Sequence, residues 1–507
     1  MNEHPWGAVA PLPHNDRLVS AVHPRDWQNP TPRERYHLVV IGAGTAGLVT
    51  AAGAAGLGAR VALIERHLMG GDCLNVGCVP SKGVIAPARA WSAARRASEQ
   101  FGGPHAAGAG DFAAAMDRMR RLRAQIAPVD GAERFRGLGV DVYFGEARFV
   151  SPQAVHVGDA TLEFRRAVIA TGARAKAPPI PGLADVPYLT NETLFDLDTC
   201  PEHLVVLGGG PIGCEMAQAF ARLGARVTLL DKAPRLLPRD DPRASTIVRD
   251  ALARDGVRVV TSADLQRVRR DGASGIAVEC TVNGAAETVT GSTLLVAIGR
   301  APNVEGIGLE AAGVAFTPQG VTVNDRLQTT NPTVFACGDV ASRYQFTHAA
   351  DFQARIVIQN ALFFGRKRAS DLVIPWATYT SPEVAQVGHT AESAAAAGLA
   401  IQSFTVPMHD VDRAILDDDT EGFATVHVAA GTDRIVGVTV VAAHASELIH
   451  EATLAMTHRL GLAAISASIH PYPTQGDALR RCADAWRRTK LTPTVRQLFT
   501  QWFRWFS

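Results

Sequence analysis

Tyr36-His-Leu-Val-Val-Ile41 runs directly into Gly42-Ala-Gly44-Thr-Ala-Gly47, and the chain reaches an acidic residue at Glu65. The apolar run predicts a buried strand, the glycines a tight turn, Ala46 to Leu57 a helix, and Arg60 to Glu65 a second strand. The order recurs downstream, with a strand at Leu204 to Leu207, a turn at Gly208-Gly-Gly210-Pro-Ile-Gly213, a helix at Ile212 to Leu223 and a strand at Arg226 to Asp231. In each copy the acid stands 23 positions after the first glycine and 18 after the third. That spacing lets a carboxylate reach a ribose hydroxyl across a βαβ unit. A lone glycine triplet would be weak evidence, but a duplicated one with strand, helix and acid in place predicts two dinucleotide-binding units.

The residue types fit that chemistry. Without a Cβ, Gly42, Gly44, Gly208 and Gly210 let the backbone approach a pyrophosphate at a helix N-terminus, where free N–H groups favour an anion, and Gly47 and Gly213 complete each motif. Glu65 and Asp231 are expected to accept hydrogen bonds from adenosine ribose. Asp231 repels a 2′-phosphate while Lys232 and Arg235 could hold one, so the sequence leans only slightly to NADH over NADPH.

At 507 residues, 47% hydrophobic and 20% charged, the chain is long enough for three or four globular units. Fifty basic against forty-nine acidic residues leave a net charge of +1, which argues against nucleic-acid binding and for small-molecule partners. Neither a secretory leader nor a bilayer-spanning run is read, and seven cysteines, five scattered and two close together, suit a reducing, cytoplasmic setting with one special pair. Residues 1–35 carry six prolines and read as an extended surface arm. Glycine turns after Val168-Ile-Ala-Thr171-Gly172 and at Gly299-Arg300, each followed by prolines, place domain boundaries near 175 and 302. The expected order is a first unit at 36–175, a second at 176–302, a return to the first at 303–372, and a separate α+β interface domain at 373–490. In 491–507, Val495, Leu498, Phe499, Trp502, Phe503 and Phe506 share one helical face behind Thr492-Pro493. This face is expected to dock on the protein's own body or a dimer partner, with a membrane surface as the alternative.

After the first unit comes Gly70-Gly71-Asp72-Cys73-Leu-Asn-Val-Gly77-Cys78-Val-Pro80-Ser81-Lys82. Cysteines five positions apart can lie about one helical turn apart, within reach of a disulfide, and a helix start with a nearby lysine would favour a thiolate. Buried thiols or half of a metal site are the alternatives. No second ligand pair accompanies them, so no metal site is expected. Lysine occurs only five times in the chain, which marks Lys82 as more than surface filler.

This stretch, together with Ala336-Cys337-Gly338-Asp339-Val340, resembles the flavin-dependent pyridine nucleotide–disulfide oxidoreductases from about Tyr36 to Asp477. Arg343-Tyr-Gln-Phe-Thr-His348 and Tyr472-Pro473-Thr474 are most similar to the mercuric reductase branch. The resemblance implies an α/β fold of two Rossmann-like domains plus a C-terminal α+β dimerisation domain, with FAD on the first unit, NAD(P)H on the second, and a homodimer. It implies Cys78 as the sulfur facing the flavin and Cys73 as the sulfur facing the acceptor. Lys82 would pair with Glu215 beside the flavin, Asp339 would bind the ribityl chain, Thr171 and Gly172 would line the cofactor, Glu146 and Ala147 would contact adenine, and Arg300 would lie near the nicotinamide.

The sequence departs from the disulfide reductases at His470-Pro-Tyr472-Pro473-Thr474-Gln-Gly-Asp477. Tyr472 stands where the family's base histidine would, and Asp477 stands where its glutamate would. A phenol is a poor base at neutral pH, so an organic disulfide is a doubtful acceptor. His470 is offset by two residues and reads more readily as a packing histidine. The first cysteine is Cys73 and the last is Cys482, so neither an N-terminal CxxC metal domain nor a C-terminal cysteine pair is expected; Pro211 replaces a gating aromatic. The expected activity is NAD(P)H oxidation coupled through flavin to a Cys73–Cys78 disulfide, with a small-molecule or metal-ion acceptor of the mercuric reductase kind. A dihydrolipoyl dehydrogenase-like or quinone-reducing enzyme is the alternative, as is a flavin-bearing redox sensor.

Overall fold

The computed structural model describes residues 13–273 and 275–506. The strand Tyr36–Ile41 sits in the middle of a parallel sheet, between Val61–Glu65 and Ala160–Ile169, with Asp141–Phe144 outside Val61–Glu65. Every side chain of Tyr36–Ile41 except His37 is buried, as a strand covered on both faces requires. Ala160–Ile169 extends into an antiparallel meander with Ala154–Val157 and Ala147–Ser151. Far along the chain, Val334–Ala336 returns to pair with Ala160–Ile169 in parallel.

The second glycine turn opens a smaller copy, a four-stranded parallel sheet ordered Val257–Val260, Arg226–Leu230, His203–Leu207 and Thr293–Val296. An antiparallel sheet of Ala263–Asp271, Gly275–Val282 and Ala285–Gly291 lies beside it. Entry and exit are stitched together where Ala173–Ala175 pairs with Arg300–Pro302. The C-terminal region is a five-stranded antiparallel sheet, ordered Pro375–Thr378, Glu383–Gly388, Ile435–Ala442, Phe423–Ala429 and Ile401–Pro407, with the helices Ala445–Thr457 and Asp477–Arg488 packed on it.

The N-terminal arm departs from expectation. Residues 1–12 lie outside the described residues, but Pro13–Val22 is a helix rather than extended chain. Leu18 and Val22, four apart, are buried in the first core, and Asn15 accepts a hydrogen bond from Arg123 at 2.8 Å on the helix Phe112–Ile126. Two apolar residues make too short a stripe to stand out among prolines, and the helix owes its stability to packing. The C-terminal helix, Pro493–Trp505, begins at the expected Thr492 cap, yet none of its residues is buried. It does not dock on the body of its own chain.

Leu18→Ala should therefore cost about 2–4 kcal/mol of stability, as a large-to-small change in a packed core does. Urea titration checks this, with exposed Leu57→Ala expected within about 0.5 kcal/mol of the parent.

Candidate active site

Both glycine turns are built alike. Gly42 has φ +100°, and a Cβ there would meet Ala170 O at 2.4 Å, while one at Gly47 would meet Gly42 O at 1.8 Å. The second turn repeats this at Gly208 and Gly213, so the first and third glycines hold turn against helix. The middle glycines face space: nothing lies within 4 Å of a Cβ at Gly210, and only Gly71 Cα, at 3.7 Å, near one at Gly44. The helices Thr45–Gly56 and Pro211–Arg222 start there with no side-chain cap, leaving their first N–H groups for an anion. Glu65 accepts the N–H of Ala43 at 2.7 Å and of His67 at 2.9 Å, and Asp231 accepts those of Gly209 and, at 2.6 Å, Ala233. Each acid braces its own turn, so the duplication holds down to the hydrogen bonds.

A single cavity of about 1450 Å³ runs from Glu65 to the cysteines and on to the second turn. That exceeds the usual range for a single small ligand, roughly 300–1,000 Å³. Gly42, Gly44, Glu65, Ala147, Thr171, Gly172, Arg300 and Asp339 line it, and a Cβ at Gly172 would project into open space. An extended dinucleotide fits this open, uncapped cradle with its acid at one end.

Cys73 lies in the short helix Gly71–Asn75, and Cys78 is the first residue of the long helix Cys78–Phe101. The break between them falls at Gly77, where a Cβ would stand 2.6 Å from Asp72 Oδ2. The cysteines thus lie in two successive helices, Cys73 within the first and Cys78 at the start of the second, rather than sharing one turn. Both are thiols in the structure, and they are hydrogen-bonded to each other. Cys78 Sγ also lies 3.4 Å from Thr347 Oγ1 at the start of the helix Thr347–Leu362. Two helix N-termini therefore meet at one sulfur. The hydrogen bond from Cys73 outweighs burial and, with Thr347 and the Lys82 charge, lowers Cys78 to about 6. Cys73 moves the other way, raised by its bond to Cys78, by burial and by the negative neighbours Cys78 and Asp72.

Lys82 sits one turn beyond Cys78. Its Nζ lies 3.0 Å from Glu215 Oε2 and 4.1 Å from the centre of the Tyr379 ring. Glu215 is buried on the second unit's helix and accepts the Tyr379 N–H at 2.9 Å. Burial pulls the Lys82 pKa down, but Glu215 and Cys78 outweigh it and the net shift is upward, so the cation persists. Arg300 reaches Asp72 Oδ1 at 3.0 Å and Asp339 Oδ2 at 3.5 Å. Burial raises Asp339 to about 6, with Arg300 working against it.

Residues 36–354 match the family described as pyridine nucleotide-disulphide oxidoreductase, and residues 374–483 match its dimerisation domain. The chain belongs to this family. It is 35% identical over 462 residues to a mercuric reductase of Lysinibacillus sphaericus, spanning 90% of this chain and 84% of the relative. It is 34% identical over 469 residues to a dihydrolipoyl dehydrogenase of Thermus scotoductus, spanning 89% and 97%. Among solved structures it superposes on the copper(II) complex of a HOCl-induced flavoprotein disulfide reductase mutant from Escherichia coli, with TM-score 0.80, 29% identity, and coverage of 89% of this chain and 99% of that one. The protein is an FAD-dependent, NAD(P)H-using oxidoreductase, and its dimerisation domain makes it a homodimer.

Other residues singled out in the sequence lie outside the cavity lining. Gly47, Gly208, Gly213 and Asp231 shape the turns from behind, and Glu146 stands between the lining residues Gly145 and Ala147. Tyr472 is exposed on the dimerisation domain and donates to Asp412 at 2.9 Å, while Asp477 is held by Arg480 and Arg481. Both ring nitrogens of His470 face acceptors, Ser468 O and Glu451, each at 3.0 Å. Thr347, Tyr379 and Asp72 were not read from sequence; only the fold brings the first two, 269 and 297 positions after Cys78 and Lys82, to those residues.

In protein reduced to the dithiol, alkylation at Cys78 should rise with pH about a midpoint near 6, because the reactive thiolate forms as pH climbs through that value. Lys82→Met should move the midpoint upward by removing a stabilising cation. A parent midpoint above about 8.5 would contradict the geometry.

Proposed function

We propose that the protein reduces a soft metal ion carried by small thiols, of the mercuric kind, using NADH. The Cys73–Cys78 pair, with Cys78 poised as a thiolate against Lys82, is the observation that carries this reading. The first cradle would hold FAD, which would supply two-electron transfer between the nicotinamide and the cysteine pair. The glycine turn and the uncapped helix at Thr45 would hold its pyrophosphate, with Glu65 at the ribose and Asp339 near the ribityl chain. Lys82, fixed by Glu215 and the Tyr379 ring, would keep positive charge where reduction builds up negative charge. Arg300, tied to Asp72 and Asp339, would set the electrostatics beside Cys73 more than it would touch nicotinamide.

The metal-ion reading draws on three supports. Two adjacent cysteine sulfurs, one of them poised as a thiolate, suit a soft cation. Relatives are named mercuric reductases, and a structural neighbour is a copper(II) complex. In the homodimer, Tyr472 and Asp477 of each chain would be offered to the partner's cysteine pair. A tyrosine there supplies no ready proton for a leaving thiolate, whereas release of a metal from thiols needs none. NADH is favoured because both cations near Asp231 are engaged: Arg235 pairs with Glu392 at 2.6 Å, and Lys232 lies 3.6 Å from Asp264. An enzyme that draws on NADH would work in the cytoplasm.

The test follows NADH and NADPH oxidation with mercuric ion in excess small thiol, copper(II), lipoamide and glutathione disulfide. NADH should give the higher kcat/KM, mercury-dependent oxidation should be measurable and strongly dependent on the thiol, and Tyr472→Phe should lower it further. Fast lipoamide turnover, unchanged in Tyr472→Phe and lost in His470→Ala, would instead make this a lipoamide-type dehydrogenase with His470 as its base.

A further inference from the structure

The C-terminal helix Pro493–Trp505 lies beyond the dimerisation-domain match, which ends at residue 483. The last firm anchor is Trp486, nearly buried, whose indole N–H donates to Thr432 O at 3.2 Å. The chain then leaves the domain, and Thr492 caps a new helix by accepting the Val495 N–H. At about 1.5 Å per residue, thirteen residues span roughly 20 Å, too short to cross a bilayer.

Its two faces differ sharply. Leu498, Phe499, Trp502, Phe503, Trp505 and Phe506 are all at least half exposed, Trp505 by 89%. With Val495 they form one apolar arc; Thr494, Gln497, Thr500 and Gln501 take the other side, and Arg496 flanks the arc. From 485 to 506 the sequence holds five basic and no acidic residues, in a chain whose overall charge is only +1. An aromatic face rich in tryptophan beside a polar surface whose only charges are basic complements an anionic lipid interface. A second copy of this chain offers no such charge match in the segment itself, since two of these helices packed together would bring like charges close.

We infer that this helix is a peripheral membrane anchor, lying in the headgroup plane of an anionic bilayer with Trp502, Phe503 and Phe506 turned into the acyl boundary. Arg496 would reach the lipid phosphates while its stem covers apolar surface. The catalytic body would then work at the membrane surface, whatever acceptor it uses.

The full-length FAD-bound protein should be sedimented with vesicles of phosphatidylcholine alone and with about one third phosphatidylglycerol. Binding is expected to the anionic vesicles, at least tenfold weaker with phosphatidylcholine alone, and reduced at high salt. Trp502→Ser with Phe503→Asp should abolish it, and Arg496→Glu should weaken it, with NADH oxidation unchanged in solution because none of these residues lines the cavity. Equal sedimentation of parent and double variant, or none by either, would overturn the proposal. So would a double variant that changes the oligomeric state in analytical ultracentrifugation, which would make the face a contact between copies.

Discussion

A negative sulfur at Cys78 is the state around which the site is arranged, and a thiolate is costly in a cavity between three domains unless fixed charges and dipoles meet it. Here the helix Cys78–Phe101 begins at that residue, the helix Thr347–Leu362 brings Thr347 to it, Cys73 hydrogen-bonds to it, and Lys82 stands one turn further along. These contributions together overcome burial, which alone would raise the thiol. The neighbouring Cys73 is driven the opposite way, so the two sulfurs of one pair differ in charge.

That arrangement depends on contacts between parts of the chain that sequence order separates. Lys82 belongs to the first unit, Glu215 to the second, and Tyr379 to the C-terminal sheet region, and the three meet at one point. Nearby, Arg89 donates to Glu383, and Gln218 exchanges hydrogen bonds with Ser381. Ion pairs of this kind, with a buried carboxylate and a partly exposed cation, contribute little net stability once desolvation is counted. Their value lies in position, because losing one partner leaves an uncompensated charge and loosens the alignment of two domains against the cysteines.

The repeated glycine motif was legible because its spacing encodes local geometry: a turn, a helix start and an acid within one βαβ unit. The structure places Glu65 and Asp231 on equivalent backbone N–H groups, a detail the spacing does not specify. The cysteine pair and Lys82 were legible for the same reason, since they share thirteen consecutive residues with Gly70. Thr347 and Tyr379 were not, because nothing local distinguishes a threonine or a tyrosine that tertiary folding will carry to a sulfur or an ammonium. The helix Pro13–Val22 was missed for a related reason: it buries only Asn15, Leu18 and Val22, and its stability comes from Phe112–Ile126. The C-terminal helix was visible in full, but which surface it meets is a property of its surroundings.

In this arrangement Cys78 would be the thiolate that faces the flavin and Cys73 its exchanging partner. Anaerobic reduction of the FAD-bound protein by one equivalent of NADH, followed by absorbance at long wavelength, tests this most directly. A thiolate-to-flavin charge-transfer band should form, vanish in Cys78→Ala with FAD still bound, and be present without any reductant in Cys73→Ala. A band that survives Cys78→Ala would contradict it.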